Sequence, residues 1–99
     1  MARFDVYANP GGSGFLVDVQ ADLMSHLNSR LVIPLVHSGI APTPMKVLNP
    51  IFPIEDASYL MLTQQMAAVS VQMLKRPVLN VNDRRDEVVA AIDLLLQGF

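Results

Sequence analysis

The strongest strand signal in the sequence is RLVIPLV, residues 30–36. Branched aliphatic side chains dominate it, and such a run favours an extended strand over a helix. Pro34 has no backbone N–H and cannot donate to a sheet, so we expect this proline at a sheet edge or at a bulge. The run is the most strand-like part of the chain and predicts a β-rich protein.

A hairpin is predicted on the N-terminal side of this run. RFDVYA (3–8) alternates in hydrophobicity, and FLVDVQ (15–20) resumes the extended pattern. NPGGSG (9–14) lies between them and is dense in residues that form turns.

A second hairpin is predicted on the C-terminal side. Residues 37–50 contain three prolines and predict a long excursion with at most short strands. IFPI (51–54) and YLMLTQQ (59–65) are joined by the turn EDAS and form the hairpin. VSVQML (69–74) predicts one more strand after the short connection MAA.

The final element is predicted to be an amphipathic helix. Asn82 is the candidate N-cap, and Asp83, Asp86 and Glu87 place negative charge at the positive end of the helix dipole. An apolar stripe at helical spacing comprises Val88, Val89, Ile92, Leu95, Leu96 and Phe99. Strands followed by one helix predict a mainly β fold, an antiparallel sheet or small barrel with a C-terminal helix.

Length and composition limit the possible functions. The 99 residues predict a single domain over residues 1–99, and a 52% hydrophobic content with 16% charged residues suggests apolar surface facing a partner, such as a second copy. The net charge of −2 argues against general binding to nucleic acid. The absence of cysteine excludes a disulfide framework and suits a reducing cytoplasm. No run reaches the ~20 apolar residues of a membrane span, and the N-terminus lacks the pattern of a signal peptide.

The residues that could carry chemistry form no recognisable motif. His26 and His37 are predicted in loops without a second ligand at metal-binding spacing, so neither a metal site nor a cofactor is predicted. Asp18 and Asp22 are close in sequence, and such a pair more often caps a turn or holds an arginine than transfers protons. The pairs Lys75-Arg76 and Arg84-Arg85 are expected on the solvated surface. The residues alone predict a small β-rich binding domain with no catalytic residues.

A longer series of segments resembles the CcdB family of toxins. The resemblance begins at FLVDVQADL (15–23) and RLVIPL (30–35), continues through PIFPIEDASYLMLTQQMAAVSV (50–71), and reaches the terminal AAIDLLLQGF (90–99). It implies an SH3-like antiparallel barrel of the CcdB/MazF toxin type, with a small additional sheet and a long C-terminal helix. It also implies a homodimeric, non-enzymatic toxin that binds the DNA gyrase A subunit and traps the gyrase–DNA cleavage complex. A cognate antitoxin with a disordered C-terminal segment neutralises such toxins, which meet DNA only through the antitoxin or gyrase.

The resemblance also implies where gyrase binds. The positions carried over are Leu23 and Met24 in the loop after the second strand, and Asp93, Gln97, Gly98 and Phe99 at the helix end. Two-fold pairing would bring two such ends together. The alternative is that Phe99 completes the apolar stripe and Gly98 is an ordinary helix breaker.

The chain departs from the family pattern at its terminus. The best-known pattern ends Trp-Gly-Ile, and its Trp is a stacking anchor against gyrase, whereas this chain ends Gln97-Gly98-Phe99 and contains no Trp. Either the anchor is built differently, for example with Phe99, or poisoning is weaker.

The sequence leaves two alternative functions open. Toxins of the MazF family share the barrel and are endoribonucleases, and Arg30, His37 and Thr63 could supply an acid, a base and a cation, although nothing in their spacing favours this. The chain could also be a degenerate member that binds antitoxin and no longer poisons gyrase.

Overall fold

The computed structural model describes residues 1–98 and contains an antiparallel sheet followed by a helix. The strands within these residues are β1 (Asp5–Ala8), β2 (Phe15–Asp18), β3 (Ser29–His37), β4 (Ile51–Ile54), β5 (Ala57–Met61), β6 (Ala67–Ser70) and β7 (Leu79–Asn80). The helix is α1 (Arg85–Gln97), and short 3₁₀ turns lie at Asp22–Met24, Thr63–Gln65, Val71–Met73 and Asn82–Arg84. The strand order is β4-β5-β3-β2-β1-β7, with β6 pairing with β3, and the sheet curls into a half-barrel. The predicted fold class is confirmed.

β3 is the central strand of the sheet, and its proline lies where the neighbouring strand changes. On one side β3 pairs with β2 in regular register through Pro34. On the other side it pairs with β6 as far as Val32 and with β5 from Leu35. The Pro34 carbonyl accepts a hydrogen bond of 2.9 Å from the Leu62 N–H. Because the nitrogen and the carbonyl of a strand residue point to the same side, the Pro34 nitrogen faces the gap between β5 and β6. The predicted edge or bulge position was therefore wrong.

Both predicted hairpins are confirmed, with shifts at the later strands. β1 pairs with β2 and β4 with β5, and residues 38–50 contain no strand, as expected. β6 begins at Ala67 instead of Val69 and stops at Ser70. There the Ser70 hydroxyl accepts a bond from the Gln72 N–H and begins a 3₁₀ turn. The two-residue strand β7, which pairs with β1, was not predicted.

Both faces of the sheet are covered. On one face, Val6 and Val17 belong to a core cluster that also contains Val88 and Ala91 of α1. On the other face, Tyr7 and Leu16 pack with Leu74, which follows β6. Since successive strand residues point to opposite faces, the alternation in β1 and β2 supplies both cores.

The start of α1 is held differently from the sequence prediction. Asn82 was expected to cap the helix, but Asn80 Oδ1 accepts the Asn82 N–H at 2.8 Å and a 3₁₀ turn precedes α1. Arg84 bonds both carboxylate oxygens of Glu87 at 2.8 and 2.6 Å, which lowers the pKa of Glu87. Arg84 also donates to the Ile51 carbonyl at 2.7 Å and lies 4.1 Å above the Phe52 ring. Its assignment to freely solvated surface was therefore wrong, because it fastens α1 to β4.

The last turn of α1 is not packed into the core. Val88 and Ala91 are buried, whereas Leu95 is 38% and Leu96 69% exposed. The prediction of one continuous core-facing stripe is thus wrong for the last helical turn, and Phe99, its last predicted member, lies outside the described residues. The distal half of α1 presents leucine side chains to solvent, where a partner could cover them.

Candidate functional site

The connection between β2 and β3 carries an exposed apolar turn, which we define as residues Asp22–Met24. Its Leu23 is 82% exposed and its Met24 is 43% exposed. Leu27, a little further along the same connection, is also exposed. Neighbouring aliphatic side chains that face solvent mark a surface suited to another protein.

The strand that leads into the apolar turn ends on a buried ion pair. Asp18 Oδ2 lies 2.7 Å from both Nε and Nη2 of Arg30, and both side chains are fully buried. Asp18 Oδ1 accepts the Gln20 N–H at 3.0 Å. Burial raises the pKa of Asp18 above its usual value, while the bonds from Arg30 and Gln20 pull it down. The pair thus fixes the base of the connection at an electrostatic cost.

Asp22 fixes the apolar turn from its other side. Its Oδ1 accepts the Arg3 N–H at 2.8 Å, and Arg3 Nε donates to the Val19 carbonyl at 3.0 Å. Asp18 holds an arginine and Asp22 accepts a main-chain bond. The prediction that this pair is structural and not a proton-transfer pair agrees with both contacts.

The second predicted contact group is the helix tip, which we define as Asp93, Gln97 and Gly98. Asp93 is half-buried and Gln97 is exposed, one helical turn apart on the same side of α1. Gly98 ends the helix with a left-handed φ of 83°, and its N–H donates to the Leu94 carbonyl at 3.0 Å. Gly98 therefore has the geometry of an ordinary helix terminator, whatever else it contacts. Phe99 lies outside the described residues.

The apolar turn and the helix tip lie at different ends of α1 within one chain. Ala21 and Asp22 line a small polar pocket together with Asn82 and Arg85, at the start of the helix. A 13-residue helix is about 18 Å long, so Gln97 lies roughly that far from this pocket. The structure therefore groups Leu23 with Met24 and Asp93 with Gln97 and Gly98, as two separate groups.

A further apolar surface lies on the excursion between β3 and β4. Its Ile40, Met45 and Val47 are exposed, and Val47 lines a pocket of about 400 Å³ with Pro50, Asp86, Glu87 and Ala90. The end of the excursion is anchored, because Asn49 Nδ2 donates to the Met61 carbonyl at 3.0 Å and Thr63 Oγ1 to the Leu48 carbonyl at 2.6 Å. The prolines of this segment predicted the excursion, but the exposure of its aliphatic residues was not predicted from the sequence.

The residues considered for ribonuclease chemistry do not form an accessible site. Arg30 and Thr63 are fully buried, and each is engaged in a structural contact. His37 was expected in a loop but ends β3, where its Nδ1 accepts the Gly39 N–H at 2.9 Å. A buried guanidinium cannot reach a scissile phosphate, so this arrangement does not support an endoribonuclease.

Within residues 1–98, no three His, Cys, Asp or Glu side chains are grouped so that they could hold a metal ion. No helix in the same residues is long and apolar enough to cross a membrane.

Comparison with known protein families gives a match over nearly the whole chain. The family model described as CcdB protein matches residues 3–98. The match includes the apolar turn and all of the helix tip, and it confirms the resemblance inferred from the sequence segments.

Proposed function

This chain belongs to the CcdB family of toxin–antitoxin toxins that poison DNA gyrase, and from that premise we propose that it binds the gyrase A subunit in the bacterial cytoplasm. In this proposal it traps the gyrase–DNA cleavage complex and has no enzymatic activity of its own. The observation that carries the proposal is the family match over residues 3–98.

We assign the gyrase contact to the apolar turn and the helix tip, together with Phe99. The exposure of Leu23 and Met24 supports this assignment, because side chains of this size are costly to leave in water without a partner. Gln97 takes the position of the family's Trp and offers hydrogen bonds in place of a large aromatic face. The aliphatic side chains of the apolar turn would then supply a larger share of the apolar contact than they do in relatives with the Trp.

One experiment separates this function from the two alternatives. The purified chain is incubated with gyrase, supercoiled DNA and ATP, and in parallel with RNA. Linear DNA after detergent and protease treatment would support the poison, and RNA fragments would support the ribonuclease. If neither product appears, the result supports the degenerate alternative, a chain that binds antitoxin but has no toxic target.

We further propose that the chain is a homodimer, which would cover the exposed leucines of distal α1. Sedimentation at micromolar concentration should give twice the 10.9 kDa chain mass, because an interface of standard size persists at that concentration. Replacing the outward-facing Leu96 with aspartate should shift the equilibrium to monomer if distal α1 is in the interface. The same change at Ile40, equally outward-facing on the excursion, serves as the control. A wild-type protein that sediments only at the monomer mass would contradict the proposal.

The proposed antitoxin partner has a toxin-binding segment that is disordered when free. The turn NPGGSG (9–14) and the excursion with exposed Ile40, Met45 and Val47 are the proposed docking regions. Folding of such a segment onto the toxin buries apolar surface, so calorimetry with the co-encoded partner should show a large negative heat-capacity change. Binding without a measurable heat-capacity change would argue against coupled folding.

A further inference from the structure

We propose that Gln20 is a positioning residue that holds the apolar turn in the geometry in which it meets gyrase. This inference rests on the proposed function. Gln20 itself is half-buried two residues beyond the end of β2, close in sequence to Leu23. Its side chain makes two hydrogen bonds, one with Leu31 in β3 and one with Met24 in the apolar turn.

The first bond replaces a missing backbone hydrogen bond between the two strands. Val19 follows β2, and its N–H donates to the Leu31 carbonyl at 2.9 Å, as in a regular antiparallel pair. The return bond from the Leu31 N–H to the Val19 carbonyl is not formed, and that carbonyl accepts Arg3 Nε at 3.0 Å. Gln20 Oε1 instead accepts the Leu31 N–H at 3.0 Å. The side chain therefore completes the pairing at the point where the backbone turns away.

The second bond reaches into the apolar turn. Gln20 Nε2 donates to the Met24 carbonyl at 2.9 Å. The Gln20 N–H is itself held by Asp18, whose carboxylate is fixed by buried Arg30. A continuous chain of contacts thus runs from the buried ion pair through Gln20 to Met24.

The backbone of the apolar turn is therefore held by several hydrogen bonds while its side chains are exposed. Gln20 fastens it at Met24, Arg3 fastens it at Asp22, and the Met24 N–H donates to the Ala21 carbonyl at 2.9 Å. A loop that is already ordered loses less conformational entropy on binding, so its contacts contribute more to affinity. No other side chain among residues 1–98 bonds both Leu31 and the turn. We therefore assign this ordering to Gln20.

Two variants of the full-length protein test the inference. Gln20→Met has a similar shape and removes both bonds, and Gln20→Glu keeps an acceptor for Leu31 but loses the donor to Met24. Gln72→Met, at an exposed glutamine after β6, is the matched control. Amide hydrogen exchange is measured at Leu31, Met24 and Leu27, and affinity is measured for the isolated gyrase A subunit.

In Gln20→Met, the amides of Leu31 and of the turn should exchange faster and gyrase affinity should fall about tenfold, with the thermal midpoint changed little. Gln20→Glu should keep Leu31 protected while losing gyrase affinity, a separation that a merely structural role would not produce. The inference would be overturned if either variant bound gyrase with wild-type affinity. It would also be overturned if amide exchange at Leu31 and in the apolar turn were unchanged in Gln20→Met. A wild-type chain that does not bind gyrase would overturn the proposed function instead, and the exchange data would still decide whether Gln20 orders the turn.

Discussion

Replacing Arg30 with methionine should lower the free energy of unfolding by about 3–5 kcal/mol, the range found when one partner of a buried ion pair is removed. The Arg30 guanidinium is fully buried 2.7 Å from the Asp18 carboxylate, and methionine leaves that carboxylate in the core without a counter-charge. Chemical denaturation at neutral pH measures the loss. Arg76→Met is the control, because Arg76 is exposed and its loss should change stability by less than about 0.5 kcal/mol.

The destabilisation of Arg30→Met should depend on pH in a defined direction. Burial already raises the pKa of Asp18 above the unfolded value of 3.8, and removing Arg30 raises it further. A carboxyl group with a higher pKa in the folded state binds more protons when folded, so stability falls as the pH rises above the unfolded pKa. The gap between Arg30→Met and wild type should therefore be smaller at mildly acidic pH than at pH 7.

A double variant distinguishes the ion pair from simple loss of packing. Asp18→Asn combined with Arg30→Met keeps an acceptor for the Gln20 N–H but leaves no buried charge. It should recover part of the stability lost in Arg30→Met, because the unpaired carboxylate is the main penalty. If the double variant is less stable than Arg30→Met at pH 7, the stability lost in Arg30→Met comes from packing and not from the unpaired charge.

The second large effect is expected on function. Leu23→Asp should abolish gyrase poisoning while leaving the fold intact, because Leu23 is 82% exposed and contributes little to the core. A charge that is buried at an interface without a counter-charge costs on the order of 2 kcal/mol or more, which is over tenfold in affinity. Ile40→Asp is the matched control, since Ile40 is 72% exposed and belongs to the excursion, which is not part of the proposed gyrase contact. Equal loss of poisoning in both variants would mean that exposed aliphatic residues matter generally and that the apolar turn has no special role.

The strands and the helix could be predicted because their signals are local. The alternation in β1 and β2 and the helical spacing in α1 each follow from neighbouring residues. β7 has only two residues and no period to detect. Asn80, and not Asn82, holds the start of the last 3₁₀ turn because Asn80 is placed by its pairing with β1, which is a tertiary contact.

The less local features of the fold could not be predicted from patterns. Pro34 is tolerated in a central strand because β5 and β6 share one side of β3, and nothing in residues 30–36 encodes that division. The apolar spacing of α1 is the same over its whole length, but its last turn does not pack against the core.

The candidate site came from family resemblance more than from residue chemistry. Leu23 and Met24 have no motif of their own, and their exposure becomes visible only once the turn is folded. Gln20 was part of a strand pattern, and its two bonds join residues four and eleven positions away. A surface built from aliphatic side chains and main-chain bonds leaves no signature comparable with a metal or catalytic motif.

The proposed function is tested most directly by the poisoning activity of a chain that ends at Leu96. Removing Gln97, Gly98 and Phe99 deletes most of the proposed helix tip but none of the buried core residues of α1, Val88 and Ala91. Wild-type protein titrated against gyrase, supercoiled DNA and ATP should produce linear DNA. The shortened chain should produce none at the same concentrations, with a circular dichroism spectrum and dimer mass like those of wild type. A shortened chain that yields linear DNA at wild-type concentrations would contradict the assignment of the gyrase contact to the helix end.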